Sequence, residues 1–318
     1  MIMSGDKVMV TGGESMIGRA ICQELKSLGA EVDPVPHSEC DLLLEEPIMK
    51  RMAMFGPKYV IHAAGWNGGI GWNKEYPATI YKRTAQMALN VYSCAAMCGG
   101  VKKVVGILAS CSYPDSKSPY FQECHLWNGL PNPTVECHGL SKRIIADFGR
   151  QIAKQTDVKC VYCILNNCYG PHDSYHPDKT KVVGALIRRF VEAKQQNLPE
   201  VVCWGSGAPL RDFIYAEDAG RAVVKCLMTY SDPTGGLNIT TGNEVSIKDL
   251  SLMIAELIGY DGDIVWDTDK PDGQMRKSLS NTKQREIFYM DWTPIREGLA
   301  KTIEWYINNK EAADAKGF

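Results

Sequence analysis

His138 and Lys142 lie four residues apart in "ECHGLSK" (residues 136–142), inside a pattern that reads as a helix. Positions i and i+4 stack on one helical face, so an imidazole and an ammonium share it. That pairing suits proton transfer. Imidazole titrates at about 6.5 when unperturbed, and a neighbouring ammonium pushes it toward the neutral form. Cys111, in "ILASCSYPD" at the end of an apolar run, places a thiol in the same stretch of chain. A second group of residues suits phosphate binding. "VTGGESMIG" follows the first apolar run and opens a helix, with Gly12, Gly13 and Gly18 in place. Glycines in that context permit a tight turn and let the backbone approach a pyrophosphate at a helix N-terminus. Position 15, where a middle glycine is usual, is Ser15, whose hydroxyl can still donate to a phosphate.

Two further segments fit a dinucleotide site. Asp41 in "ECDLL" stands where an acid commonly faces an adenine edge, and "HAAG" (residues 62–65) ends a strand that would line the cofactor. No acidic residue stands clearly at the end of the second strand to take a ribose 2′-hydroxyl; His37 is the nearest polar side chain there. Glu14 in the glycine turn would repel a 2′-phosphate. Metal ligation is not expected. Cys160 and Cys163 form a C-x-x-C inside an apolar strand with no second pair at finger spacing, and His172 and His176 stand alone in "GPHDSYHP".

The elements that must position these groups alternate. "DKVMVTGG", "YVIHAAG", "KKVVGILASCS" and "KCVYCILNNCYG" are apolar strands. "MIGRAICQELKSLGA", "TAQMALNVYSCAAMCG" and "SKRIIADFGRQIAKQ" have helical spacing. Continuous apolar strands separated by helices indicate a parallel sheet covered on both faces, with ligands off the C-terminal strand ends. After Pro171 the pattern loosens. It predicts helices over "VGALIRRFVEAKQQ", 216–228, 246–258 and "IREGLAKTIEWYINN", strands at "VVCWGSG" and "GGLNITTG", and a Pro/Gly loop at "DKPDGQMRK". Residues 1–169 are expected to form a dinucleotide-binding domain, which a segment near 213–242 re-enters, and 170–318 a smaller substrate lobe.

The 318 residues carry 35 Lys and Arg against 37 Asp and Glu, a formal charge of −2 that gives no reason to expect nucleic acid or an anionic membrane as partner. Neither a signal-type segment nor an apolar run of spanning length is present. The 12 cysteines, scattered through apolar segments, read as reduced thiols of a cytoplasmic protein.

"HAAGWNGGI…YPATIYKRTAQMALNV", "SCSYPD", "NNCYGPHDSYHP", "ALIRRFVEAK", "VVCWGSGAPLRDFIYAEDA" and "DIVWDTDKPDGQMRKSLSNTK" occur in the order and spacing of the GDP-L-fucose synthase family. The resemblance covers almost the whole chain. It implies a Rossmann-type doubly wound α/β fold, an extended short-chain dehydrogenase/reductase, and a homodimer paired through helices of the cofactor domain. The family epimerises GDP-4-keto-6-deoxy-mannose at C3 and C5 and reduces C4 with NADPH, without a metal. The implied cofactor here is NADP(H) or NAD(H). Glu14 and His37 stand where the family has arginines, which weakens the case for NADP.

Carried over by position, the resemblance places Gly12, Gly13, Ser15, Met16, Ile17 and Gly18 at the dinucleotide. Asp41, Leu42, Ala63, Ala64, Gly65, Lys142, Leu165 and His172 are expected there too. Asn167, Arg189, Trp204, Arg211 and Lys277 match positions that embrace the GDP-sugar; an arginine fork suits a diphosphate. Cys111 matches the family's epimerisation cysteine, but the histidine that works with it is Lys181. Of the reduction groups, Lys142 matches, the tyrosine is His138 and the serine is Ala109. Strand alternation would point Ser110 away from Ala109 and Cys111.

His138 admits three readings. It replaces the phenol as proton donor, though its ring reaches roughly 2 Å less far. It marks changed chemistry on a related sugar. Or it marks lost catalysis, with the nucleotide-sugar pocket kept for binding.

Overall fold

The computed structural model describes residues 4–116, 120–177, 179–233, 235–270 and 272–315, without the side chain of Ile70. The apolar runs become strands β1 (Lys7–Thr11), β2 (Glu31–Asp33), β3 (Tyr59–His62), β4 (Lys103–Ala109), β5 (Tyr120–Phe121), β6 (Lys159–Leu165) and β7 (Asn167–Tyr169). Between them run helices α1 (Met16–Ser27), α2 (Glu45–Phe55), α3 (Ile70–Glu75), α4 (Pro77–Met97) and α5 (Glu136–Gln155). The rest of the chain forms α6 (Val182–Gln195), β8 (Glu200–Trp204), β9 (Leu210–Tyr215), α7 (Ala216–Thr229), β10 (Leu237–Ile239), β11 (Glu244–Ser246) and α8 (Ile247–Ile258). β12 (Asp263–Asp267), β13 (Arg276–Leu279), α9 (Thr282–Ile287), α10 (Ile295–Asn308) and α11 (Lys310–Ala315) complete it.

Six strands pair in parallel in the order β10-β6-β4-β3-β1-β2. Because side chains alternate along a strand, each apolar run feeds two cores. Met9, Val60, Val104, Leu108 and Cys160 pack under α2, α4 and α5. Val8, Val10, Ile61, Val105 and Cys163 pack under α1 and α7. Cys160 and Cys163 therefore lie on opposite faces of the sheet and cannot bridge. α7 and β10, distant in sequence from the first strands, belong to this sheet and its second core.

A third core joins α6, α8 and α10 around Phe190, Ile254 and Tyr306. A second sheet runs β11-β9-β13-β5, with β7 also paired to β9; its β9 and β11 side packs on this third core, while Phe121 of β5 and Leu279 of β13 join the first, and β8 pairs separately with β12. The loop expected over 269–277 is shorter than its sequence suggested. Arg276 and Lys277 already pair with Leu210 and Arg211 as the start of β13, so β-pairing overrides the breaker residues before them. No helix among the described residues is long and apolar enough to cross a membrane.

One buried cation ties the two sequence halves. Lys103 donates from Nζ to the carbonyls of Cys226, Leu227 and Tyr230, closing the last turn of α7. Lys103→Met should destabilise the fold by about 1–3 kcal/mol, because those buried acceptors lose their donor. Urea denaturation measures it, and a change below about 0.5 kcal/mol would show the cap to be idle.

Candidate active site

The glycine turn joins β1 to α1 at the C-terminal edge of the sheet. Gly12 takes φ +69°, and a Cβ there would fall 2.9 Å from the Ala64 backbone. A Cβ at Gly18 would collide with the Gly12 carbonyl. Ser15 needs no glycine: its backbone is extended, and its Oγ accepts the Gly18 N–H at 3.1 Å, capping α1. That bond leaves the hydroxyl proton free to donate. The turn thus offers bare backbone and a helix N-terminus where no side chain could sit, a cradle that fits a dinucleotide pyrophosphate. Beneath it, His62 Nδ1 and Thr11 Oγ1 share a buried hydrogen bond of 2.8 Å.

Not every residue expected at the cofactor has its side chain free. Met16 and Leu165 bury theirs in the second core and Leu42 in the first, so contact with a ligand could come only from their backbone. The Leu42 carbonyl is itself held by Asn90 Nδ2 at 3.0 Å. Ile17 packs partly against the second core. Asp41 accepts the Leu43 N–H at 3.0 Å, a local turn bond. His172, in the left-handed region at φ +68°, lays its ring 4.8 Å from that of Trp305 on α10.

Two expectations about β2 and β4 need correction. β2 ends on Asp33, so an acidic residue does stand at that strand end. β4 stops at Ala109, and Ser110–Ser112 form a 3₁₀ turn, so strand alternation does not set the direction of Ser110.

Past that turn the catalytic candidates converge. Lys142, buried on α5, donates from Nζ to the Ala64 carbonyl at 3.2 Å, and a Cβ at Gly65 would lie 3.1 Å from that nitrogen. Burial, reinforced by Lys181 and partly offset by Cys111 and Cys163, pulls its pKa down to about 8. His138, one turn earlier, is 5% exposed. Burial, then Lys142, Lys181 and Lys277, press its pKa down to about 3. The titration near neutrality expected for a free imidazole is therefore absent, and His138 is neutral at pH 7. Asn67 Nδ2 donates to its Nε2 at 3.0 Å, which puts the ring proton on Nδ1, a buried atom with no protein partner. Sequence reasoning missed Asn67 because it is 71 residues away in a loop.

Cys111 lies within the fields of the same three lysines. Burial raises its thiol, while Lys277, Lys142 and Lys181 oppose the rise. Lys181 arrives from the N-cap of α6, and Lys277 from β13 beside Arg211. Arg211 donates to the carbonyls of Leu210 at 2.7 Å and Gln274 at 2.5 Å. Asn167 Nδ2 is spent on Asn166 Oδ1 and the Asp212 carbonyl. Arg189 Nη1 donates to the Val202 carbonyl at 2.7 Å, which aligns it with β8, where Trp204 is 64% exposed. The structure thus groups Cys111, His138, Lys142, Lys181 and Lys277, and sets Arg189 and Trp204 at a separate strand. Among the described residues no cluster of three or more His, Cys, Asp and Glu could hold a metal ion.

A parallel sheet with a glycine turn at one strand end and a buried lysine beside it defines a nucleotide-cofactor enzyme, and residues 8–239 match the NAD dependent epimerase/dehydratase family, to which this chain belongs. Among curated proteins it is similar to probable GDP-L-fucose synthase 1 of Oryza sativa subsp. japonica. The two are 36% identical over 306 residues, 96% of this chain and 93% of that one. GDP-L-fucose synthase of Escherichia coli K12 is 32% identical over 97% of this chain and 99% of its own. A solved GDP-L-fucose synthetase from Naegleria fowleri bound to NADP superposes with a TM-score of 0.92 at 26% identity, covering 99% of this chain and 96% of that one.

The buried neutral histidines have a measurable consequence. Burial holds His62, like His138, down to about 3, whereas in the unfolded chain both titrate near 6.5. Above about 6.5 neither state binds these protons and the shifts are silent. Between about 6.5 and 3 the unfolded chain takes them up and the fold refuses them. Stability should therefore fall with pH by about 1.4 kcal/mol per unit for each histidine. In urea unfolding between about pH 4 and 6, His138→Gln should lower the slope by one such share. An unchanged slope would mean the ring is charged in the fold.

Proposed function

We propose that this chain epimerises and reduces a GDP-linked 4-keto-hexose, GDP-4-keto-6-deoxy-mannose or a close relative, with NADP(H) or NAD(H). The observation that carries the reading is the joining of a bare glycine cradle to a thiol and three ammonium groups at one sheet edge, in a chain similar along nearly its whole length to GDP-L-fucose synthases. Gly12, Gly13, Gly18 and the start of α1 hold the pyrophosphate of the dinucleotide, and Ala63, Ala64 and Gly65 lie along it. When bound, the nicotinamide supplies hydride to C4.

The other steps fall to side chains. Cys111, with Lys181, moves protons on the carbons beside the ketone. The ammonium groups stabilise negative charge as it builds on O4. His138 lines the site as a neutral ring beside Lys142, its proton held on the enclosed Nδ1 by the Asn67 bond to Nε2. Lys142, near 8, is the group matched to give a proton at neutral pH. Arg211, Lys277 and Asn167 face the sugar diphosphate, and Arg189 and Trp204 take the guanosine end. One observation favours a second reading, epimerisation without reduction: the phenol and serine of the reduction site are replaced by His138 and Ala109.

We place the protein in the cytoplasm, on the strength of 12 free thiols. It acts as a homodimer through the outer faces of α4 and α5, a reading that rests on the family and on the exposed Tyr81 and Met97 of α4.

Incubation with GDP-4-keto-6-deoxy-mannose and NADPH or NADH in D₂O tests both readings. Loss of nicotinamide absorbance with deuterium at C3 and C5 supports the first. Deuterium without absorbance loss supports the second, and neither signal rejects both. Cys111→Ala should cut deuterium incorporation by about 10²-fold or more while GDP binding holds.

A further inference from the structure

The loop that follows β3 holds His138 through Asn67 and then runs on to the segment that delivers Lys181. Its base is tied to α4, where Thr84 Oγ1 accepts the Trp66 N–H and donates to the Trp66 carbonyl, each at 3.2 Å. At its far end the Gly69 N–H donates to the Lys179 carbonyl at 3.1 Å. A Cβ at Gly69 would lie 3.0 Å from the Thr180 carbonyl oxygen. The next residue is Lys181, the N-cap of α6. The loop backbone therefore lies against the two residues that precede Lys181.

Side chains close the same contact. Lys179 Nζ stands 4.9 Å from the centre of the Trp72 ring on α3. Trp72 in turn packs at 5.5 Å on Trp66 and at 4.3 Å on Tyr76, and Arg83 of α4 covers Trp66 at 5.4 Å. A Cβ at Gly68 would lie 2.8 Å from the Trp72 side chain, so the indole folds back on its own loop. Three rings in contact thus lie between two cations. An ammonium is drawn to an aromatic face by the ring quadrupole, most strongly to an indole. The segment's own turn is closed by the Lys179 and Thr180 N–H groups, which both donate to the His176 carbonyl, at 3.0 and 2.9 Å.

Lys181 needs such support. It is exposed, and its long stem is flexible, so the fold can place it only through its backbone. A misplacement of about 1 Å in a proton-transfer group costs up to about 10²-fold in rate. Resting on the reading that Lys181 works with Cys111, we propose that Trp72 is a positioning residue for Lys181, acting through its cation–π contact with Lys179. Trp72 and Lys179 act through Lys181 and not on the sugar.

Two readouts on the full chain test it. One is deuterium incorporation at C3 and C5 of GDP-4-keto-6-deoxy-mannose in D₂O. The other is the pH midpoint of Cys111 alkylation by iodoacetamide, read by peptide mass mapping. It needs no sugar and follows Lys181 through its field on the thiol. Trp72→Leu should cut incorporation at saturating sugar by about tenfold or more, with KM little changed, and raise the alkylation midpoint. Trp72→Phe should restore most of both. Lys179→Met leaves the rings packed and should act in the same direction; it replaces Trp72→Leu if that variant fails to fold. In a Lys181→Met background neither substitution should change either readout further. Unchanged readouts in folded Trp72→Leu and Lys179→Met overturn the proposal while leaving the enzymatic reading intact. So does an equal loss with and without Lys181. If Lys181→Met itself leaves both readouts unchanged, the role given to Lys181 fails and the proposal with it. Absence of deuterium incorporation by the unmodified chain overturns the enzymatic reading, whereas the alkylation midpoint judges Trp72 alone.

Discussion

A buried ammonium is costly unless something answers its charge. Lys142 has a single carbonyl, that of Ala64, and no carboxylate among the described residues that act on it. Much of the site follows from that. Its field helps to keep His138 and His62 neutral, holds back the rise of the Cys111 thiol, and leaves the pocket short of negative charge. A sugar ketone that gathers charge on its oxygen, beside a diphosphate, supplies what the protein lacks. The stability given up by burying the Lys142 ammonium without a carboxylate is of the kind that active sites retain because function needs it.

The replacement of a phenol by His138 takes on meaning in that field. In water an imidazole would be a serviceable acid near neutrality. Under burial and three neighbouring ammonium groups it is a neutral ring, and the acid whose pKa lies near neutral is the lysine one turn away. Asn67 belongs to the same change. A phenol has one polar atom to orient, but an imidazole has two, and its useful tautomer is set only if one nitrogen is engaged.

The end of β2 shows the opposite balance of charge. There Arg51 is claimed by Asp33 on one side and Glu39 on the other.

The amino-acid order by itself determined the parallel sheet, the glycine turn and the helix carrying His138 and Lys142. Those depend on local periodicity and on residues within one turn of each other. It did not reveal that β2 runs to Asp33, because a strand of three residues is fixed by its pairing with β1 rather than by its own pattern. Nor did it show the 3₁₀ turn at Ser110–Ser112, the Asn67 bond to His138, or the meeting of Lys181, Lys277 and Lys142. Those depend on burial and on Coulomb fields between segments far apart in the chain. Only the closed tertiary structure removes the water that would otherwise screen them.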